Sequence, residues 1–418
     1  MSKFRKVLKN HNFFLLWLGQ IISQFGERLG QMALIAFVYD RSPGSTMDMA
    51  KILSFTIIPV FIVGPVAGVY VDRWDRRKTM YICDFLRSAL IFTIPFFLYY
   101  YKSVLPIYGI IFIVFSIARF FVPAKLSIVP DLVEKGDLLI ANSLLNVTGM
   151  LAAVLGFGIS GVLVEWVGAK SGFYLNSLNF LISGALIFSI AKKFSPLTKD
   201  FKELGRQIVD TIRKSVFQEI KEGVLYFIKQ KDIRLTASIM FMLWSALGAV
   251  YTVMIVFVQK VLNSATKDLG LLIMFLGIGL FTGSVFYGRF GQRLSHYKTI
   301  FTSLTLSGIM LIIFTLTLNR YPCFFTAALL SFILGVSVSP IMIASNTIIH
   351  KASSNEMMGK VFSSLEIVMH LAFLLFMFIS SLLAERVSHT LMLVVVGCIF
   401  SIVGVINIIL KRKIPWLD

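Results

Sequence analysis

About twelve apolar runs, each long enough to cross a bilayer, follow one another along this chain. A crossing helix needs roughly 20 predominantly apolar residues. Runs of that length occupy 13–39, 47–71, 79–101, 104–130, 139–165, 171–192, 232–261, 266–290, 297–318, 321–350, 358–386 and 389–411. This pattern predicts an all-α integral membrane protein with twelve transmembrane helices. The composition agrees: 57% of the 418 residues are hydrophobic and 15% are charged, where a soluble domain carries about 25% charged residues.

Charge then sets the expected orientation. The formal net charge is +19, but the cations lie between the apolar spans, so the excess belongs to loops at a membrane surface and not to a nucleic-acid interface. An even number of spans puts both termini on one side. If that side is cytoplasmic, the inner segments hold 28 of the Lys and Arg residues and the outer loops 8, a positive-inside distribution. Four more, Arg28, Arg87, Arg119 and Lys125, fall within spans. Residues 193–231 interrupt the oily pattern and divide the chain into halves, 1–192 and 232–418. In this linker Val216, Ile220, Val224 and Phe227 share one helical face, which reads as an amphipathic helix on the cytoplasmic surface. The basic N-terminus runs straight into the first span with no small-residue cleavage site, so that span reads as a retained helix. Cys83, Cys323 and Cys398 lie far apart, without metal-ligand spacing, and are expected to be buried apolar fillers. No cofactor or metal is expected.

One loop is denser in information than the rest. Between the second and third runs the chain reads Gly64-Pro65-Val66-Ala67-Gly68-Val69-Tyr70-Val71-Asp72-Arg73-Trp74-Asp75-Arg76-Arg77-Lys78. Two glycines four apart share a helix face and allow close helix approach; an acid and a knot of cations follow. This resembles the signature loop between helices 2 and 3 of the major facilitator superfamily, Gly-x-x-x-Asp-Arg-x-Gly-Arg-Arg/Lys, with Gly68, Asp72, Arg73, Arg76 and Arg77 in place. Asp75 stands where the family usually has a second glycine in a tight turn, and Asp tolerates a left-handed backbone. The Asp-Arg-x-Asp-Arg-Arg-Lys form is similar to the macrolide-efflux branch. Phe14 to Gln20 with Ser23 to Glu27 resembles the first helix of such carriers. Val122 to Lys125, Val129 to Val133 and Ala141 to Leu144 are similar to their helix 4 to helix 5 region, and Glu356 to Phe362 to the start of helix 11. The triplet Pro123-Ala124-Lys125 also resembles lysophospholipid transporters.

The halves echo each other. Arg73-Trp74 and Arg77 recur as Arg289-Phe290 and Arg293, and Pro123 recurs as Pro340, at offsets of 216 and 217. Parallel halves of this kind are what the resemblance implies: the major facilitator fold, two six-helix bundles with a site near the midplane. The second copy has Gly288 where the first has Asp72, so the charged lock is one-sided. The resemblance further implies that Asp72 faces the start of helix 11 near Gly359, and that Arg76 pairs with Asp131.

Ionisable groups inside spans are costly and mark function. Glu27 lies near the middle of the first span and Arg119 near the middle of the fourth, so they are expected to meet. Desolvation raises such an acid's pKa and a cation lowers it, which makes Glu27 the expected proton-coupling group. Asp84 and Arg87 are one turn apart and read as a structural pair. Glu366 and His370 share a face of the eleventh span and read equally as a relay or a structural pair. Lys125 and His350 sit nearer the inner ends, and Asn146, Asn176 and Asn179 read as interhelical hydrogen-bonding groups. Gly156-Phe157-Gly158-Ile159-Ser160-Gly161 matches a dinucleotide fingerprint in form only; with no strand before it, it reads as glycine packing between helices. It also lines up with a Gly-Pro-x-x-Gly-Gly element of drug antiporters, from which Phe157 and Ser160 depart. The resemblance implies a proton-coupled exporter of amphiphilic small molecules, expected to be monomeric and in the cell membrane, and the lack of a nucleotide-binding motif excludes ATP as its energy source. A flippase for a lysophospholipid or other lipid, and a non-transporting receptor or scaffold, are the alternatives.

Overall fold

The computed structural model describes residues 3–64, 67, 71, 74–100, 104–191, 231–291, 294–352 and 358–410. Every long element among them is a helix. A short α1 (Lys3–Leu8) precedes α2 (His11–Arg41), α3 (Thr46–Ile62), α4 (Arg76–Tyr100), α5 (Leu105–Leu132) and α6 (Leu138–Phe188). Then come α7 (Lys231–Leu262), α8 (Lys267–Phe290), α9 (His296–Arg320), α10 (Phe324–Ala352), α11 (Met358–Arg386) and α12 (His389–Ile409). Among the described residues nine helical stretches are long and apolar enough to cross a membrane, with α6 counted as one. That helix holds two expected spans. Gly168, at φ 81° and ψ 164°, breaks it into limbs 138–167 and 169–188, a conformation open to a residue without a Cβ. α2 is long enough but carries Glu27 and Arg28 at its centre, and α3 is described over 17 residues.

The helix ends follow local chemistry. Ser388 caps α12 by accepting the Leu391 N–H at 3.0 Å. Asn263 takes φ 52° where α7 gives way to α8. The expected left-handed turn at Asp75 is not what forms, since Asn263 is the positive-φ non-glycine among the described residues. Instead the Asp75 carboxylate accepts the Lys78 N–H at 3.0 Å and its carbonyl the Thr79 N–H at 2.9 Å, so Asp75 caps α4. An N-cap acid satisfies an orphan amide and meets the positive end of the helix dipole. At α1, Lys6 lies 2.9 Å from both Asp137 and Glu134. The hydrogen bonds it donates, to Asp137 first and then to Glu134, hold its ammonium above the usual lysine range.

The chain forms two compact units. The first comprises Met1–Val38 and Ile52–Val216, the second Tyr39–Lys51 and Phe217–Asp418. In the first, α4 packs on α5 and α6, and Phe13, Leu16, Met80, Ile128 and Ile187 form part of a buried core. In the second, α8 pairs with α10, α9 with α12 and α7 with α11. A Cβ on Gly283 of α8 would come 2.8 Å from the Val336 carbonyl of α10, so this seam admits only glycine. Residues 39–51 join the second unit through polar contacts. Ser45 donates its hydroxyl to the Glu385 carboxylate at 2.7 Å, and the Met47 N–H bonds the same oxygen at 2.9 Å. Thr46 donates to the Ser381 carbonyl at 2.9 Å. The expected linker, 193–231, lies outside the described residues but for Lys231. Of the cysteines expected to be buried, Cys83 is; Cys323 and Cys398 are exposed. Cys323 precedes the first turn of α10 and Cys398 lies on an exposed face of α12.

Candidate functional site

A charged cluster sits inside the first unit, built by α2, α4, α5 and the second limb of α6. Asp84 and Arg87 are three residues apart on α4 and therefore share a face. Both are buried, at 0% and 1% exposure, and the Arg87 guanidinium is hydrogen-bonded through Nη2 to Asp84. Ser183 of α6 donates to the other Asp84 oxygen at 2.6 Å. Arg87 also reaches α2, where Nη1 lies 3.1 Å from Glu27 Oε1. The guanidinium stacks 4.1 Å from the Phe180 ring centroid and 4.9 Å from that of Phe121. One cation thus bridges two carboxylates between two aromatic faces, a setting that compensates an otherwise costly buried charge.

The two carboxylates differ in access. Asp84 is sealed, whereas Glu27 is 31% exposed and lines a cavity of about 40 Å³ with Arg87, Asn176, Phe115, Phe173 and Phe180. One water needs roughly 10–15 Å³ measured in this way, so the cavity admits a few waters beside the carboxylate. Asn176 presses against Gly30 of α2 and leaves Oδ1 buried and unpaired. Lys125 of α5 is within electrostatic reach of Glu27.

Other expected site residues are placed as follows. Arg119 was expected as the cation on Glu27; the structure puts Arg87 there. The reason is azimuth: a similar depth on helices 1 and 4 does not fix which way a side chain faces, and α4 presents Arg87 to both α2 and α6. Asp84 and Arg87, read as a self-contained pair, are part of a three-member set. Glu366 and His370 make contact through the main chain: His370 Nδ1 bonds the Glu366 carbonyl oxygen at 2.8 Å, and the imidazole packs on Trp244 with centroids 4.9 Å apart. The Glu366 carboxylate is not the partner of that nitrogen. In the loop before α4, Arg76 lies 2.5 Å from Asp131 and donates to the Ser127 carbonyl at 2.9 Å. Arg77 donates to the Phe188 carbonyl at 2.9 Å, at the end of α6. Gly68, Asp72 and Arg73 lie outside the described residues. Gly359 falls in the first turn of α11, and its contact with Asp72 is likewise outside them. Ser183, Phe121 and Phe180 were not singled out from sequence; serine and phenylalanine in apolar runs carry no signal until the helices are assembled.

Comparison with known proteins gives a consistent picture. A family described as "Transmembrane secretion effector" matches residues 5–415. The uncharacterized MFS-type transporter YkuC of Bacillus subtilis (strain 168) is 27% identical over 364 residues, covering 85% of this chain and 81% of its own. Macrolide efflux protein A of Streptococcus pyogenes is 25% identical over 412 residues, covering 96% of each. Among solved structures, a peptide transporter POT in complex with sulfate superposes with a TM-score of 0.73 at 15% identity, over 100% of this chain and 99% of that one. At that identity the likeness is one of fold, the major facilitator fold.

Proposed function

The chain belongs to the transmembrane secretion effector family of the major facilitator superfamily, and from that premise we propose that it exports amphiphilic small molecules in exchange for protons. It is a multi-pass membrane transporter. The export direction is supported by the likeness to a macrolide efflux protein. Both termini and the linker are assigned to the cytoplasmic side, supported by the 28 to 8 distribution of cations.

The observation that carries proton coupling is the sharing of Arg87 between a sealed and an accessible carboxylate. With Glu27 ionised, the guanidinium ties α2 to α4. A proton arriving on Glu27 through the cavity removes that charge and leaves Arg87 wholly to Asp84, whose other oxygen Ser183 holds. The two protonation states thus differ in whether α2 is held to α4, and a proton biases the carrier by its differential affinity for them. Arg87 itself keeps its charge throughout, because a guanidinium does not deprotonate in a protein. On the cytoplasmic side, Gly68, Asp72, Arg73, Arg76 and Arg77, with Asp131 and Gly359, are assigned to the gate; the Arg76–Asp131 contact supports this.

Glu27→Gln tests the coupling. It preserves size and hydrogen bonding but cannot titrate. In proteoliposomes with an imposed pH gradient, uphill export should stop while downhill exchange continues and its pH dependence flattens. Uphill, pH-driven export by Glu27→Gln would remove Glu27 from the mechanism.

A further inference from the structure

Arg28 places a guanidinium deep in a membrane helix, and among the described residues no carboxylate pairs with it. We propose that Arg28 is the docking group for an acidic headgroup, a carboxylate or a phosphate, on the exported amphiphile; the inference rests on the export reading above. α2 runs from His11 to Arg41, so at 1.5 Å per residue Arg28 lies about 25 Å from one end and about 20 Å from the other. Charges at that depth are rare and generally face a bundle interior or an aqueous cavity with a partner. Arg87 has Asp84 and Glu27, and Lys125 has Glu27 within reach. Arg28 has neutral neighbours instead.

Those neighbours hold the side chain in position without discharging it. Nη1 donates to the Gln31 amide oxygen at 2.9 Å, and the guanidinium carbon lies 4.9 Å from the Phe157 ring centroid. The Nε atom is buried with no protein partner. A guanidinium offers five N–H donors in a planar fork that matches a carboxylate or phosphate, so most of its donor capacity is left for a ligand. The seat is cut to fit: a Cβ on Gly156 of α6 would lie 3.0 Å from Arg28 Cγ. The Gly156-Phe157-Gly158 run therefore has a specific task, with Gly156 clearing the stem and Phe157 flanking the head. Gln31 is also a wall of the cavity that holds Glu27 and Arg87, which places Arg28 one side chain from the coupling site. The charges point the same way. Within the spans of the first unit Arg28, Arg87, Arg119 and Lys125 stand against Glu27 and Asp84, an excess of cations that an anionic substrate reduces.

The test uses purified full-length protein in nanodiscs with three probes: N-dodecanoylglycine, its methyl ester, and oleoyl lysophosphatidic acid. Wild type should bind the acids about tenfold or more tightly than the ester. Arg28→Gln should abolish that preference, with acid binding falling about tenfold toward that of the ester. Arg28→Lys should keep part of the preference. If Arg28→Gln fails to fold, Gly156→Ala, which displaces the arginine stem, should likewise lose the preference. Equal binding of acid and ester by wild type overturns the proposal, as does an acid preference that survives Arg28→Gln or, in its place, Gly156→Ala. Tighter binding of N-dodecanoylglycine identifies a carboxylate metabolite as the ligand source, and tighter binding of lysophosphatidic acid a lipid. Transport separates this inference from the reading beneath it. Acid-selective binding without export of N-dodecanoylglycine sinks export alone, and equal export of acid and ester sinks the Arg28 assignment alone.

Discussion

Replacing Arg87 should harm the fold far more than neutralising Glu27, although both change one charge in the same cluster. In Arg87→Met the Asp84 carboxylate, at 0% exposure, keeps only the Ser183 hydroxyl as partner. Stranding a buried charge in this way costs about 3–5 kcal/mol. For a unit of roughly 200 residues each kcal/mol is worth about 2–4 °C, so the midpoint should fall by on the order of 10 °C. Glu27→Gln leaves the buried pair intact and removes a contact to a carboxylate that is 31% exposed and screened, for a cost of about 1 kcal/mol or less. Asp84→Asn should fall between the two, because Arg87 retains Glu27. A double change, Asp84→Leu with Arg87→Met, should recover much of the loss, since apolar replacement of a buried pair is often neutral. Thermal unfolding of each purified variant, followed by tryptophan fluorescence, gives the order directly. The reasoning fails if Arg87→Met unfolds within a few degrees of wild type, or if Glu27→Gln costs as much as Arg87→Met.

Two further outcomes are expected. Asp75→Ala removes the acceptor for the Lys78 N–H and should cost about 1 kcal/mol, seen as faster amide exchange confined to the first turn of α4; unchanged exchange there would dismiss the cap. A cysteine introduced at position 205 should react with membrane-impermeant reagents only after cells are opened, and labelling of intact cells would reverse the assigned orientation.

The spans were legible because apolarity is a local property. Each run announces its own length, and even the short turn at Gly168 falls between runs 139–165 and 171–192. Which side chains meet was harder to read. Glu27 was visible as an intramembrane acid, but its partner depended on the rotation of α4 about its axis, and depth along the sequence says nothing of rotation. Asp84 and Arg87 were legible as a pair because their contact lies within one helix; Ser183 was invisible because its contact crosses to another. Asp75 is a different case. An acid three residues before Lys78 at a helix start is a capping signal in its own right, and it outweighs the left-handed turn that a glycine in that place would make. Cys323 and Cys398 show the limit of residue-type preference: in a membrane helix the outward face is as oily as the core, so an apolar residue need not be inside.

The small segment 39–51 has a bearing on how the molecule is assembled. It is made early, as the tip between α2 and α3, yet it is completed by Ser381 and Glu385, with Thr46 and Ser381 standing 335 residues apart. The sequence repeat and the structural unit therefore do not coincide. A chain emerging from the ribosome would carry this hairpin unfinished until α11 has been synthesised. A C-terminal half produced by itself would have the Glu385 carboxylate and the Ser381 carbonyl facing no partner from 39–51. The duplication visible in the sequence describes how the chain is written; this stitch makes the second half depend on the first for its own completion.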